Sequence, residues 1–277
     1  MKPAQFTYVR AESLAEALDA LNEFGEDARI IAGGQSLGPM LNMRLAAPEV
    51  LIDIMGLQDL DRIEFSDDGA MAAACVTQAR FMSRLELRRA QPLLHEAMPW
   101  IGHVQTRSRG TVCGSLANAD PAAELPLLLA TLGGAVIAQS KGGQRAIPAA
   151  DFFEGMFETA LKPDEMLLAV KFQAPAPGAG AAFIEVAERH GDFAIVAAAA
   201  AADGDGVTLG LGGIDAKPVV TRFDGLTAAS VRGALADLAE SLDPQSDPKA
   251  DAAYRRRLAR ELGLKAVQTA MERRHAV

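Results

Sequence analysis

The amino-acid sequence predicts an α+β fold in which strand–helix units come first and an antiparallel sheet with helices closes the chain. Three observations carry this. Leu14, Ala17, Leu18 and Leu21 recur at helical spacing ahead of a short apolar run, residues 28–32, that ends on Gly33-Gly34. Residues 183–187, 195–202 and 207–212 are strand-length apolar runs, the last two joined by the turn Asp203-Gly204-Asp205-Gly206. Residues 226–242 and 249–272 then read as helices.

In chain order, Ser13 is the natural N-cap of the first helix, and Glu16 three residues on makes a capping box. Gly25 ends that helix. The strand at 28–32, the glycine turn, a helix over 37–45, Pro48 and a strand over 50–54 form a β–turn–α–β unit. Residues 70–76 read as a strand, and residues 81–89 and 93–98 as helices edged by Pro92 and Pro99. Residues 105–120 are a polar segment without periodic signal. A helix over 122–132, a strand over 135–139, the hairpin-type turn Lys141-Gly142-Gly143 and a strand over 166–172 follow. Residues 174–182, rich in Pro, Gly and Ala, mark a boundary. The expected division is one domain over 1–176, in parts of about 1–56 and 57–176, and a second over 177–277.

Composition narrows the function. The chain has 277 residues, 49% hydrophobic, and a net charge of −9. Nucleic-acid binders usually present a basic face; the only dense basic run here, Arg255-Arg256-Arg257, reads as the solvated face of a late helix. No nucleic-acid partner is expected. The most apolar stretch, residues 125–138, is interrupted by Gly133-Gly134 and falls short of the ~20 residues that a spanning helix needs. The N-terminus has no apolar core of the signal-peptide kind, so a cytoplasmic protein without a membrane-spanning segment is expected. Two cysteines, Cys75 and Cys113, cannot hold an iron–sulfur cluster, which takes about four thiolates. The four histidines fall in no metal-ligand spacing, so no metal of its own is expected.

Two segments can carry chemistry. In Ile30-Ile31-Ala32-Gly33-Gly34-Gln35-Ser36-Leu37 a strand ends in two glycines and a polar pair where a helix begins. Glycine admits close backbone approach, free amides attract phosphate, and Gln35 and Ser36 add side-chain hydrogen bonds. The pattern suits a pyrophosphate and equally an ordinary βα turn. It is neither a Walker loop nor G-x-G-x-x-G. The second segment runs from Arg109 to Pro126. Thr111, Ser115, Asn118 and Asp120 offer groups for ribityl hydroxyls or phosphate oxygens, and Gly114, Ala117 and Ala119 let a flat ring lie against backbone. Asp120 is also a natural N-cap for the next helix. In a third segment, Arg189-His190-Gly191-Asp192-Phe193-Ala194-Ile195, Phe193 can back a ring system or simply fill core, and Arg189 with Asp192 reads as a surface pair of small value. Ser36 and Ser115 lie in no nucleophile-elbow frame, and Cys113 reads as a small buried residue.

The two glycine segments are more specific together than apart. Ala32-Gly33-Gly34-Gln35-Ser36-Leu37, with Pro39-Met40, Arg44-Leu45-Ala46, Pro48 and Leu51-Ile52-Asp53-Ile54, resembles the FAD-binding medium subunit of the xanthine dehydrogenase and aerobic carbon monoxide dehydrogenase (molybdenum hydroxylase) family. So do Gln105-Thr106-Arg107-Ser108-Arg109-Gly110-Thr111-Val112-Cys113-Gly114-Ser115, the run from Ala119-Asp120-Pro121 to Glu124-Leu125-Pro126, Arg189 with Gly191-Asp192-Phe193-Ala194, and Leu211-Gly212-Gly213-Ile214 with Pro218. The likeness covers nearly the whole chain.

The resemblance implies a two-part FAD-binding domain of the vanillyl-alcohol-oxidase (PCMH) type, then a C-terminal domain of antiparallel sheet plus helices. It implies FAD as cofactor. Ala32, Gly33, Gly34, Gln35 and Ser36 would wrap the pyrophosphate, with Leu37 closing that segment. Thr111, Val112, Gly114, Ser115 and Asn118 would line a second wall. Asp120 and Glu124 would approach ribityl or ribose hydroxyls, Leu167 would pack near the flavin, and Phe193 would lie near the isoalloxazine ring. It further implies a small iron–sulfur subunit and a large molybdenum-cofactor subunit as partners, in a dimer of heterotrimers. Electrons would pass from molybdenum through the clusters to FAD and on to an outside acceptor, and the cysteine count fits that division of labour. Two positions depart from the family pattern. Cys113 stands where a glycine is common, and Glu185 lies nearest a position that often carries lysine. Two other readings are open at this point: a self-contained flavin-dependent oxidoreductase, for which the sequence offers no evident acid–base pair, and a non-enzymatic scaffold that kept the fold and lost FAD, to which Cys113 and Glu185 lend weight.

Overall fold

The computed structural model describes residues 2–204 and 206–274. Met1 of the N-terminal segment, Asp205 of the turn expected at 203–206, and His275 lie outside the described residues.

The first layer is β1 (Thr7–Arg10), α1 (Leu14–Phe24), β2 (Ala28–Ile31), α2 (Leu37–Met43) and β3 (Val50–Asp53), with the strands parallel in the order β1-β3-β2. Ser13 caps α1, its hydroxyl accepting from the Glu16 amide at 3.2 Å. The reciprocal bond of a capping box is shifted by one residue: the Glu16 carboxylate accepts from the Glu12 amide at 2.7 Å. Ala17, Leu18 and Leu21 bury the inner face of α1 in one cluster with Val50 and Ile52. Sequence reading missed β1, whose residues are mostly exposed and carry no alternation; it exists because β3 offers a free edge. Helix α2 stops two residues earlier than expected, at Arg44, which adopts the left-handed conformation with φ 60°.

The second layer holds β4 (Ile63–Ser66), β5 (Gly69–Ala73), α3 (Gln78–Met82), α4 (Leu87–Ala90), α5 (Pro92–Ala97), α6 (Val104–Arg109), α7 (Val112–Asn118), α8 (Glu124–Leu132), β6 (Ala135–Ser140), β7 (Gly143–Pro148), α9 (Ala149–Phe152), β8 (Phe153–Gly155), β9 (Glu158–Thr159) and β10 (Met166–Gln173). Its antiparallel sheet runs β4-β5-β10-β6-β7. Phe81 of α3, Phe152 of α9 and Phe172 of β10 are fully buried in its core. Three expectations are corrected. The helix expected over 81–89 is two short helices, α3 and α4. The polar segment at 105–120 is two short helices, α6 and α7, whose buried face is only Arg107, Val112, Cys113 and Leu116, too sparse a stripe to read as helical. Asp120 does not cap the following helix: Ala123 is the N-cap, and Asp120 Oδ1 accepts from the Ala122 amide at 2.9 Å, holding the turn before it.

The third layer is β11 (Gly180–Val186), β12 (Val196–Asp203), β13 (Gly206–Gly212), β14 (Val219–Asp224), α10 (Val231–Ser241) and α11 (Ala252–Arg273), with the sheet antiparallel in that strand order. β11 begins inside the run read as a boundary, and β14 escaped sequence reading because its apolar positions are only half buried. Alternation along β13 divides the sheet between two partners. Leu209 and Leu211 face the cluster that includes Ala259, Ala266 and Val267 of α11, while Gly210 and Gly212 admit α8. A Cβ at Gly210 would meet Thr131 Oγ1 at 2.0 Å. This close seating fixes α8, and with it Glu124 at its first turn, against the C-terminal sheet. Arg255 corrects the reading of the basic run as a solvated face. It is buried, and its guanidinium donates to the carbonyls of Ile195 (2.6 Å) and Gly213 (2.8 Å) and to Asp247 (2.6 Å).

Candidate cofactor site

β2 ends at the seam between the first two layers, and the chain turns there through Ala32, Gly33 and Gly34. Gly33 sits so close to the α6–α7 corner that a Cβ would meet the Arg109 carbonyl oxygen at 2.1 Å and Gly110 Cα at 2.7 Å. Gly34 takes φ 68°, the left-handed region that glycine adopts without strain. Gln35 folds its amide back onto the Gly33 carbonyl at 3.1 Å. Among the described residues, the backbone amides of Gly33 through Ser36 have no hydrogen-bond acceptor within the chain.

The opposite wall is anchored to the segment that leads from β5 into α3. The Gln78 amide donates to the Gly110 carbonyl at 2.8 Å, and the Val112 amide donates to the Val76 carbonyl at 3.0 Å. Thr111 caps α7, its Oγ1 accepting from the Gly114 amide at 2.9 Å. A Cβ at Gly114 would meet that hydroxyl at 2.6 Å. Cys113 is accommodated where a glycine was expected because its side chain goes into the core, with Sγ 3.4 Å from the Ala72 carbonyl; burial pushes its thiol well above the usual range, so it is an inert space-filler. The Ala119 carbonyl accepts from the Phe157 amide at 3.0 Å, tying the β8–β9 hairpin to the end of α7.

A cavity of about 1000 Å³ lies between these walls. Of the residues singled out from the sequence, Ala32, Gly33, Gly34, Gln35, Ser36, Leu37, Thr111, Gly114, Ser115, Asn118, Glu124, Leu167 and Phe193 line it. Val112 and Asp120 stand outside the lining: Val112 is packed in the core, and Asp120 holds its turn. Phe193 is half exposed rather than core, and Arg189 and Asp192 make no ion pair; the Asp192 amide donates to the Arg189 carbonyl instead. Sequence reading missed Gln78, Thr106 and the β8–β9 hairpin with Phe157 and Glu158, which also line the cavity. The cluster Phe152-Phe153-Glu154-Gly155-Met156-Phe157 was the available signal, three aromatics around a glycine in a stretch to which sequence reading assigned no element.

The lining includes one buried acid, Glu124. Burial raises Glu124 to about 7, against the attraction of Arg107 and with added repulsion from Asp120. Asp120 is raised for the same first reason. Gln78 Oε1 is buried without a hydrogen-bond partner. Free amides, a backbone cradle that a Cβ would fill, an orphaned amide oxygen and a cavity of this volume lined by two layers suit a large ligand with phosphates at one end. FAD fits that description.

Comparisons with known proteins agree. The chain matches the family model described as FAD binding domain in molybdopterin dehydrogenase over residues 4–175, and that of the CO dehydrogenase flavoprotein C-terminal domain over 181–270. It is 33% identical over 286 residues to the carbon monoxide dehydrogenase medium chain of Afipia carboxidovorans, covering 99% of each chain. It is 34% identical over 278 residues to the glyceraldehyde dehydrogenase medium chain of Sulfolobus acidocaldarius, covering 96% of this chain and 98% of that one. Among solved structures it superposes on carbon monoxide dehydrogenase from Hydrogenophaga pseudoflava with TM-score 0.92 at 28% identity, and on quinoline 2-oxidoreductase from Pseudomonas putida 86 with TM-score 0.90 at 32%, in each case over 99% of this chain and 100% of the other. The chain belongs to the molybdenum hydroxylase family as its FAD-binding medium subunit, an oxidoreductase subunit whose cofactor is FAD.

Proposed function

We propose that this chain is the electron-relay subunit of a cytoplasmic heterotrimer, taking electrons from iron–sulfur clusters on a small subunit, which receives them from a large molybdenum-cofactor subunit, and delivering them to an external acceptor. Two such heterotrimers would pair. The observation that carries the reading is the two-walled cavity in a chain with only two cysteines, both buried. The cavity can hold the cofactor, and the clusters need thiolates from another chain.

When bound, FAD supplies reversible two-electron chemistry. The free amides of Gly33 through Ser36 would hold its pyrophosphate by hydrogen bonds that need no side-chain charge. Thr111, Ser115 and Asn118 on α7 would meet the ribityl chain, with Glu124 beyond them. Leu167 and Phe193 would flank the ring and limit water access. Val112 and Asp120 act at one remove, holding α7 and the start of α8 in place. Native purification of the chain from its own cells tests the reading. An iron–sulfur protein and a molybdenum protein should co-purify in equal amounts. A lone flavoprotein that oxidises a substrate unaided would count against it.

A further inference from the structure

The seam between α8 and the C-terminal sheet holds a second buried acid that the cavity reading does not use. Glu185 is the penultimate residue of β11, on the same face as Phe183, and is 7% exposed. Both its carboxylate oxygens are buried without a hydrogen-bond partner. It is near enough to Glu124 for the two to repel. A bare carboxylate in such a place is costly, so the neutral acid is favoured.

Among the described residues no cation pairs with Glu185. Opposite Glu185 on β12 stands Ala197. From α5, Glu96 accepts from the Phe183 amide and pairs with Arg273 of α11. Around Glu124 stand Asp120, with Lys249 near it, and Arg107. Arg107 donates to the carbonyls of Ile101 at 2.7 Å and Gly102 at 2.8 Å, not to a carboxylate. Burial, with repulsion from Glu124, raises Glu185 to about 8.

An FAD molecule entering the cavity brings two phosphate charges and displaces water from the wall that Glu124 forms. Both effects disfavour a carboxylate there. We propose that Glu124 and Glu185 form a buried proton-binding pair beside the cavity, so that FAD binding takes up a proton from solvent and loses affinity as pH rises. The proposal rests on the assignment of the cavity to FAD. The proton comes from water or buffer, and no redox change is involved.

Calorimetric titration of the flavin-free full chain with FAD, in two buffers of different ionisation enthalpy, reads the proton count directly. Near pH 8 the uptake should approach one proton per FAD. The Kd should be flat near pH 6 and weaken toward about tenfold per pH unit above pH 8. Glu185→Gln should lower the uptake. The same variant should flatten the pH dependence of the Kd above pH 8. Wild-type binding with no proton uptake, or unchanged uptake in Glu185→Gln, overturns the linkage while leaving the cavity assignment standing. A chain that binds no FAD at any pH overturns both.

Discussion

Gly33→Ala is the smallest perturbation that separates a built cofactor cradle from an ordinary turn. The added Cβ would meet the Arg109 carbonyl oxygen at 2.1 Å and its carbon at 2.6 Å, against an ordinary contact of 3.4 Å or more. The obstacle is backbone, so no rotamer change relieves it. The loop must retreat from the α6–α7 corner by more than an ångström. Overpacking of this kind costs about 1–3 kcal/mol, which for a chain of this size lowers Tm by roughly 2–4 °C per kcal/mol. The same retreat pulls the free amides of Gly34 to Ser36 away from the opposite wall, so FAD affinity should fall at least about tenfold, the ~1.4 kcal/mol equivalent of losing one or two hydrogen bonds, and FAD content with it. A matched control lies five positions on. Gly38, inside α2, has nothing within 4 Å of its Cβ position and an ordinary φ, so Gly38→Ala should be neutral or stabilising by up to about 1 kcal/mol. The assay is FAD released on denaturation per mole of chain, beside a circular-dichroism melt. A Gly33→Ala chain as stable and as flavin-loaded as Gly38→Ala would refute the reasoning.

Three further outcomes follow from the packing and electrostatics. Arg255→Leu strips the donors from the Ile195 and Gly213 carbonyls and should cost about 2–3 kcal/mol in chemical denaturation while leaving FAD content at the wild-type level. Thr111→Val keeps the shape of the side chain and removes the cap of α7; a loss of about 1 kcal/mol with reduced flavin content is expected, and an unchanged melt would show that the cap contributes nothing. Glu124 and Glu185 are raised above the ordinary 4.5, to about 7 and about 8, so the folded chain holds more protons than the unfolded one between those values. Their stabilisation is complete below pH 4.5 and is lost as pH rises through 7 to 8, at up to about 1.4 kcal/mol per pH unit for each proton. Denaturation midpoints of the flavin-free chain between about pH 6 and 9 should therefore fall more steeply for wild type than for Glu185→Gln; parallel curves would sink this assignment.

What the sequence made legible has a physical pattern. The glycine segments were visible because close approach and positive φ leave few alternatives to glycine, and Gly33 and Gly34 each show one of those causes. The apolar runs of the C-terminal sheet were visible because that sheet is covered on both faces. β1 and β14 were not, because they are held by edge pairing rather than by burial. Helices α6 and α7 were hidden by their polarity: the small residues that leave space along the cavity also erase the hydrophobic stripe by which a helix is recognised. The β8–β9 hairpin is placed by a single backbone bond to Ala119, a contact between residues 38 positions apart in the chain that no local pattern encodes. Arg255 looked like solvated charge because its acceptors are carbonyls, and carbonyls leave no trace in composition. Glu185 was conspicuous in the sequence as a reversed charge; only the packing of β11 on the second layer makes it a buried acid beside the cavity.

The flavin stoichiometry of the full chain tests the central claim most directly. Purified chain, incubated with FAD and desalted, should show a flavin absorption band and release close to one FAD per chain on denaturation. A folded preparation that stays colourless under those conditions would contradict the account.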